Sequence, residues 1–284
     1  MKTVHITSTD LVTKIDDDTV ARAKALRDSG IIPHLAVVAV GDAAQSPFIR
    51  VKQERGRSVG VEVSVYRLPD SVRAADVESV VTFANDDPEL SGLIIQLPLP
   101  TSVSTKERDR LLAMVRASKD VDALGTGVVR EKASSLSDLQ KRAARAKMFV
   151  PTTAAAMILL AQHAKADMSQ SVVVVGKGVL VGTPLHLLLQ ALGVRHKWVD
   201  KTDAGYQDVI KSADVVFAGT DAMTPFLTKR SVKEGAVLLA AGNEINYDSV
   251  EGHAAAVTAK IGSLGPLTVS LLMNNTVAAC EWQQ

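Results

Sequence analysis

The sequence of 284 residues holds a single cysteine, Cys280. A disulfide framework or a cysteine-based zinc site within one chain is therefore excluded, which fits a reducing compartment. An excess of one charge is also missing. Basic and acidic residues nearly cancel to a formal net charge of +1, so no global field draws the chain to nucleic acid or to a membrane surface. No apolar run reaches the roughly 20 residues that a membrane-spanning helix needs. The opening residues, MKTVHITSTD, lack an apolar core of signal-peptide length, and the expectation is a soluble, cytoplasmic protein. Internal repeats and low-complexity tracts are absent, as are H-E-x-x-H, G-x-S-x-G and G-x-x-x-x-G-K-S/T. The histidines (His5, His34, His163, His186, His196, His253) show no ligand spacing. Neither a metal centre nor a hydrolase triad is expected.

What the chain does have is length enough for two domains and one stretch that organises its second half, Ser171 to Gln190, SVVVVGKGVLVGTPLHLLLQ. Four consecutive valines without polar alternation predict a strand buried on both faces of a parallel sheet. Gly176, Gly178 and Gly182 follow, then Leu185, Leu187, Leu188 and Leu192 at roughly helical spacing. A strand, a glycine turn and a helix N-terminus make an anion site, because backbone N–H groups and the helix dipole converge on it. The G-x-G-x-x-x-G spacing is one residue longer than the dinucleotide fingerprint. Further strands are expected over 194–199, 213–219 and 235–242. Asp200 ends the first of these, at roughly the 20-residue distance where a Rossmann acid meets the adenosine ribose. Its alternative role is to cap the following turn before Thr202.

In the first half, Asp16 to Ser29 reads as a solvent-facing helix and Pro33 to Gly41 as a buried strand. A helix from Gln45 to Gly60 places Phe48 and Lys52 on one face, being four residues apart. Residues 61–66 alternate as a strand, 74–85 read as a helix, and Gly92 to Ile95 as a second buried strand. Gln96 then stands at the carboxyl end of that strand, where ligands of open α/β sheets bind, and Pro98 and Pro100 stiffen the exit. After a helix over 105–116 comes KDVD, residues 119–122. Its two acids lie two residues apart on a segment expected to be extended, and only one of them is expected to enter a given site. The basic stretch 131–147 reads as a solvated connector. Residues 154–163 and 268–282 read as helices, the latter fed by the glycine loop 261–268.

Taken in order, the helix with Phe48 and Lys52, then GLIIQLPLP, KDVDAL, VPTT, VVVVGKGVLVGTPL, GSLGPLT and NNTVAAC resemble the methylenetetrahydrofolate dehydrogenase/cyclohydrolase family across nearly the whole chain. The resemblance implies an α/β fold of two domains. Residues 1–148, closed by the last helix (268–284), form an N-terminal catalytic, folate-binding domain, and 149–267 a C-terminal Rossmann-type doubly wound parallel sheet. It implies that folate binds in the cleft between them and that the protein is a homodimer through its Rossmann domain. The implied chemistry is hydride transfer from 5,10-methylenetetrahydrofolate to a nicotinamide cofactor. Hydrolysis of the resulting methenyl cation to 10-formyltetrahydrofolate follows.

Carried over by position, Lys52 is the family's lysine base, Gln96 the glutamine that hydrogen-bonds it, and Asp122 the aspartate that holds the pterin. Phe48, Pro98, Gly262 and Pro266 fall in substrate-binding positions. Gly176, Lys177, Gly178, Val181, Gly182, Asp200 and Lys201 fall in cofactor-binding ones. A lysine working as a base near neutral pH must have a depressed pKa, which desolvation supplies, and an aspartate can accept two donors from a pterin edge. The sequence departs from the family where Phe48 replaces a tyrosine, Lys177-Gly178 replaces Arg-Ser, Asp200 replaces a histidine and Ala240 an aspartate. The loop at 261–266 is also altered. These departures weigh most against the hydrolytic step. Asp200 leans the cofactor choice from NADP to NAD, since a carboxylate accepts from ribose hydroxyls and repels a 2′-phosphate. Two other readings are a weakened folate- or nucleotide-binding paralogue acting as sensor or partner, and a shikimate-type two-domain dehydrogenase. QLPLP and KDVD in order argue against the last.

Overall fold

A computed structural model describes residues 2–125 and 132–284. In chain order the elements are β1 (Val4–Ile6), α1 (Thr9–Asp28), β2 (His34–Val40), α2 (Pro47–Val59), β3 (Glu62–Leu68), α3 (Ala74–Asp86), β4 (Gly92–Ile95), α4 (Thr105–Met114) and α5 (Leu136–Arg145). Then come α6 (Thr152–His163), β5 (Val172–Val175), α7 (Gly182–Ala191), β6 (His196–Val199), α8 (Tyr206–Lys211), β7 (Val215–Ala218), β8 (Val237–Ala240), α9 (Tyr247–Val250), β9 (Ala256–Thr258) and α10 (Leu264–Glu281). The chain divides into two compact units. One holds Asp10–Gly127, Gln140–Thr152 and Thr268–Gln284, and the other Met1–Thr9, Val128–Leu139 and Thr153–Leu267, as far as these are described. Among the described residues no helix is long and apolar enough to cross a membrane.

The first unit is built on a parallel sheet of order β3-β2-β4. β2 is central and buried from Leu35 onward because its run of apolar residues can be covered on both faces. Val269, Leu272, Met273 and Val277 of α10 join Leu35, Val37 and Ile94 in one core. Arg22 of α1 donates to Glu281 at 2.6 and 2.9 Å, and Ser270 donates to Asp16 at 2.7 Å, so α1 and α10 are tied by polar bonds as well.

The second unit is a parallel sheet of order β1-β9-β8-β7-β5-β6. Successive crossovers from β5 run to β6 on one side and then back to β7 on the other. The strand order thus reverses at β5, and the crevice beyond its carboxyl end is where such sheets bind ligands. All four valines of β5 are buried, each worth roughly 1.5–3 kcal/mol against exposure.

The division meets the expected 1–148 and 149–267 at 267/268 and departs from it at the N-terminus and around 128–152. β1 pairs with β9 (Val4 with Ala256, Ile6 with Thr258), because the free edge of that sheet takes up the N-terminal segment. The stretch expected as a solvated connector contains α5. Its Leu136, Leu139 and Ala143 are buried at helical spacing while the basic residues keep to the other side. Arg130 and Glu131 of that stretch lie outside the described residues. The first helix starts at Thr9 rather than Asp16 and the last at Leu264 rather than Thr268.

Candidate active site

Lys52 sits in the second turn of α2. That helix begins where Ser46 caps Phe48 N–H and Pro47 occupies the first turn, and it ends at Gly60, whose φ is +86°. β4 carries Gln96 immediately after its last residue. The Lys52 Nζ donates to Gln96 Oε1 at 2.9 Å. The Gln96 amide is itself oriented, because its Nε2 donates to the Leu97 carbonyl at 2.9 Å. Burial pushes the Lys52 ammonium below its ordinary value, and the charge of Asp122 opposes that shift.

The KDVD segment is a turn, not an extended strand, yet its two acids do part company. Lys119 is buried and caps the end of α3, donating to the carbonyls of Ala84 (3.2 Å) and Asp87 (2.6 Å). Asp120 is buried and accepts from Gly125 N–H at 2.9 Å. Asp122 alone is left for other work. It accepts from the Thr152 hydroxyl, and desolvation raises its carboxyl pKa against the pull of Thr152 and Lys52. Asn275 of α10 holds the turn by donating to Val121 O at 2.8 Å. The structure therefore gathers Lys52, Gln96 and Asp122, and adds Thr152, which sequence reasoning quoted inside VPTT without assigning it a role. Phe48 lies one turn before Lys52 and is 58% exposed. Pro98 is exposed just beyond Gln96.

In the other unit the glycine turn joins β5 to α7. Gly176 has φ +108°, and a Cβ there would stand 2.2 Å from Gly219 O; at Gly182 it would stand 2.1 Å from Gly176 O. Both positions need glycine for close backbone packing. At Gly178 a Cβ would meet nothing within 4 Å, so the space over the turn is open. The carbonyls of the turn are taken by protein donors. Trp198 Nε1 binds Gly176 O at 2.9 Å, Thr183 Oγ1 binds Lys177 O at 3.0 Å, and Thr183 N binds Gly178 O at 3.0 Å. Among the described residues no acceptor meets the N–H groups of Gly178, Val179 and Leu180. Pinned carbonyls and free N–H groups before a helix N-terminus fit a dinucleotide pyrophosphate. Val181 is buried at the helix start.

Asp200 accepts from Thr202 N at 2.8 Å and Oγ1 at 2.6 Å, which is the turn-capping role, and these bonds hold its carboxyl below the usual range. Lys177 Nζ lies 3.9 Å from Asp200 and is bound by Asp203. Lys201 is exposed. Gly262 O accepts from Ser8 N (2.9 Å) and Oγ (3.2 Å), and Pro266 stands in the first turn of α10. Sequence reasoning missed Glu244, fully buried, which ties the ends of β7 and β8 by accepting from Thr220 N (2.8 Å) and Gly242 N (2.7 Å). It also missed Trp198 and Asp203. Nothing in local spacing marks any of the three.

A description of the tetrahydrofolate dehydrogenase/cyclohydrolase catalytic domain matches residues 6–122, and that of the family's NAD(P)-binding domain matches residues 151–284. The chain belongs to the tetrahydrofolate dehydrogenase/cyclohydrolase family. Among relatives, the bifunctional protein FolD of Staphylococcus saprophyticus is 30% identical over 270 residues, 91% of this chain and 90% of that one. The FolD dehydrogenase/cyclohydrolase structure of Campylobacter jejuni covers 99% of this chain and 100% of its own, at 21% identity and a TM-score of 0.83. The Trypanosoma brucei FolD structure, complexed with NADP and an inhibitor, covers 99% and 98% at 22% identity and a TM-score of 0.81. The NAD-dependent methylenetetrahydrofolate dehydrogenase of Saccharomyces cerevisiae covers 98% and 97% at 17% identity and a TM-score of 0.78. At these identities the structural likeness is one of fold.

Proposed function

We propose that this member of the tetrahydrofolate dehydrogenase/cyclohydrolase family oxidises 5,10-methylenetetrahydrofolate to the methenyl cation with a nicotinamide cofactor. It then hydrolyses that cation more slowly to 10-formyltetrahydrofolate. The observation that carries the reading is the Lys52–Gln96 pair, a lysine kept low in pKa by burial and held at 2.9 Å by a neutral amide. Without its extra proton, the Lys52 amine keeps one N–H on Gln96 and turns a free lone pair toward water. Such a base removes the proton of the attacking water. A glutamate in place of Gln96 would restore the ammonium; a glutamine does not.

Asp122 holds the pterin by its carboxylate, with Thr152 and Asn275 fixing its turn. Phe48, Pro98, Gly262 and Pro266 are proposed as further folate contacts, and Phe48 lacks the hydroxyl that would polarise the substrate. When bound, the nicotinamide cofactor accepts the hydride. Gly176, Gly178, Val181 and Gly182 shape the turn that takes its pyrophosphate, with Lys177, Asp200 and Lys201 at the adenosine ribose. Relatives bear names for both NADP and NAD use, and the Asp200 carboxylate favours NAD. The cytoplasmic location is proposed from composition and the homodimer through the nucleotide-type unit from the family resemblance, and light scattering at twice the chain mass would support the dimer.

The experiment mixes purified protein with methylenetetrahydrofolate and either NAD or NADP while near-ultraviolet absorbance is followed. Reduced cofactor supports the proposal. Folate and nucleotide binding without reduction would instead support a weakened sensor paralogue, and reduction with shikimate in place of folate would sink the family chemistry.

A further inference from the structure

We infer that Asp203 sets cofactor choice by engaging the Lys177 ammonium, so that NAD is bound in preference to NADP. The inference rests on the dinucleotide reading of the glycine turn and names a residue that this reading leaves out.

The loop after β6 folds back on itself. Asp203 accepts from the Asp200 N–H at 2.8 Å, and Asp203 N–H donates to Asp200 O at 3.1 Å. The Asp203 carboxylate is thereby fixed at the carboxyl end of β6, beside β5 and its glycine turn. Both of its oxygens accept from Lys177 Nζ, at 2.9 and 2.7 Å. Lys177 is the basic residue that the glycine turn itself provides, and its Nζ lies over the Trp198 ring, 5.8 Å from the centroid. Asp200 stands 3.9 Å from the same ammonium on its other side. One cation therefore faces two carboxylates. The Lys177 bond holds the Asp203 carboxyl below the usual range, so the acid is charged at neutral pH.

A ribose 2′-hydroxyl needs only an acceptor, and this cluster offers carboxylate oxygens. A 2′-phosphate brings nearly two negative charges. It would have to take Lys177 from a bidentate partner and leave Asp203 unpaired next to the phosphate. The pair is partly exposed, so solvent moderates the discrimination without abolishing it. Asp203→Asn keeps an oxygen for the Asp200 N–H and removes the charge that holds Lys177. Asp203 thus acts through Lys177, as a positioning residue.

The test is calorimetric titration of the full chain with NADH and with NADPH, in wild type, Asp203→Asn, Asp203→Ser, Lys177→Gln and the Lys177→Gln/Asp203→Asn double variant. Wild type should bind NADH more tightly, by about tenfold or more. In Asp203→Asn that ratio should shrink about tenfold, mostly through tighter NADPH binding, and Asp203→Ser should follow it with an unchanged melting temperature. In the Lys177→Gln background the same change should shift the ratio less than about threefold. The inference is overturned if the ratio stays within twofold in both Asp203 variants, if both dinucleotides weaken equally, or if the shift persists without Lys177. Binding of neither dinucleotide by wild type would overturn the cofactor reading itself, and this inference with it.

Discussion

At the turn of residues 176–182 the backbone forms the proposed dinucleotide site. Gly176 and Gly182 are there because a Cβ would strike a carbonyl at about 2 Å, and the groups offered to a ligand are N–H donors. Around Lys52 the reverse holds. The backbone is ordinary helix and strand end, and the chemistry lies in side chains from α2, the end of β4, the KDVD turn and the start of α6. A backbone site depends little on its surface side chains, because the groups it offers are main-chain N–H donors. A side-chain site depends on burial to set the protonation of one amine, so a single charge in the wrong place disables it.

The contrast is sharpened first at the turn. Gly176→Ala places a Cβ 2.2 Å from Gly219 O at a φ of +108°, and should cost about 2–4 kcal/mol of stability. NADH affinity should fall by about a hundredfold, read by titration alongside a thermal melt. Gly178→Ala has open space around its Cβ, so its melting temperature should match wild type while NADH binding weakens. A matching stability loss in Gly178→Ala would break the distinction between packing glycine and approach glycine.

The next effect in size is a pH shift at the other site. Hydrolysis by a neutral Lys52 rises with pH through the lowered pKa of that amine and levels above it. Gln96→Glu sets a carboxylate where the amide oxygen stands 2.9 Å from Nζ. An opposite charge at that distance favours the ammonium by about one to three pH units. The rising limb of the hydrolysis profile should move to higher pH, with about a tenfold or greater loss at neutral pH. A limb that stays in place would show that Lys52 is not the titrating base.

The smallest effect concerns Phe48. Hydride transfer needs chiefly proximity and orientation of two carbons, whereas water attack also needs polar surroundings. Phe48→Tyr should raise the ratio of hydrolysis to dehydrogenation by about threefold, measured in paired assays at saturating substrate. A fall in that ratio with the fold intact would remove Phe48 from the account.

Legibility in the sequence followed the same contrast. The valine run and the glycines announce β5 and its turn, because buried strands and close backbone packing leave few residue choices. Lys52 and Gln96 are 44 positions apart, and nothing local pairs them; only the resemblance did. Thr152 and Asp203 escaped because a hydroxyl near a turn and an acid in an acidic loop look alike in every surface loop. Counting charges hid α5, whose buried Leu136, Leu139 and Ala143 hold the helical period beneath a basic face. β1 was invisible for another reason. Three residues with Val4 and His5 exposed carry no pattern, and their strand exists only because β9 offers an edge.

The central claim is that a neutral Lys52 performs the hydrolytic step on a site separable from dinucleotide binding. It is tested most directly by Lys52→Met, with methenyltetrahydrofolate decay followed by absorbance without cofactor and NADH binding titrated on the same preparation. The account predicts hydrolysis reduced by about a hundredfold or more, with NADH affinity and melting temperature near wild type. Hydrolysis at the wild-type rate would contradict it, as would NADH binding lost together with hydrolysis.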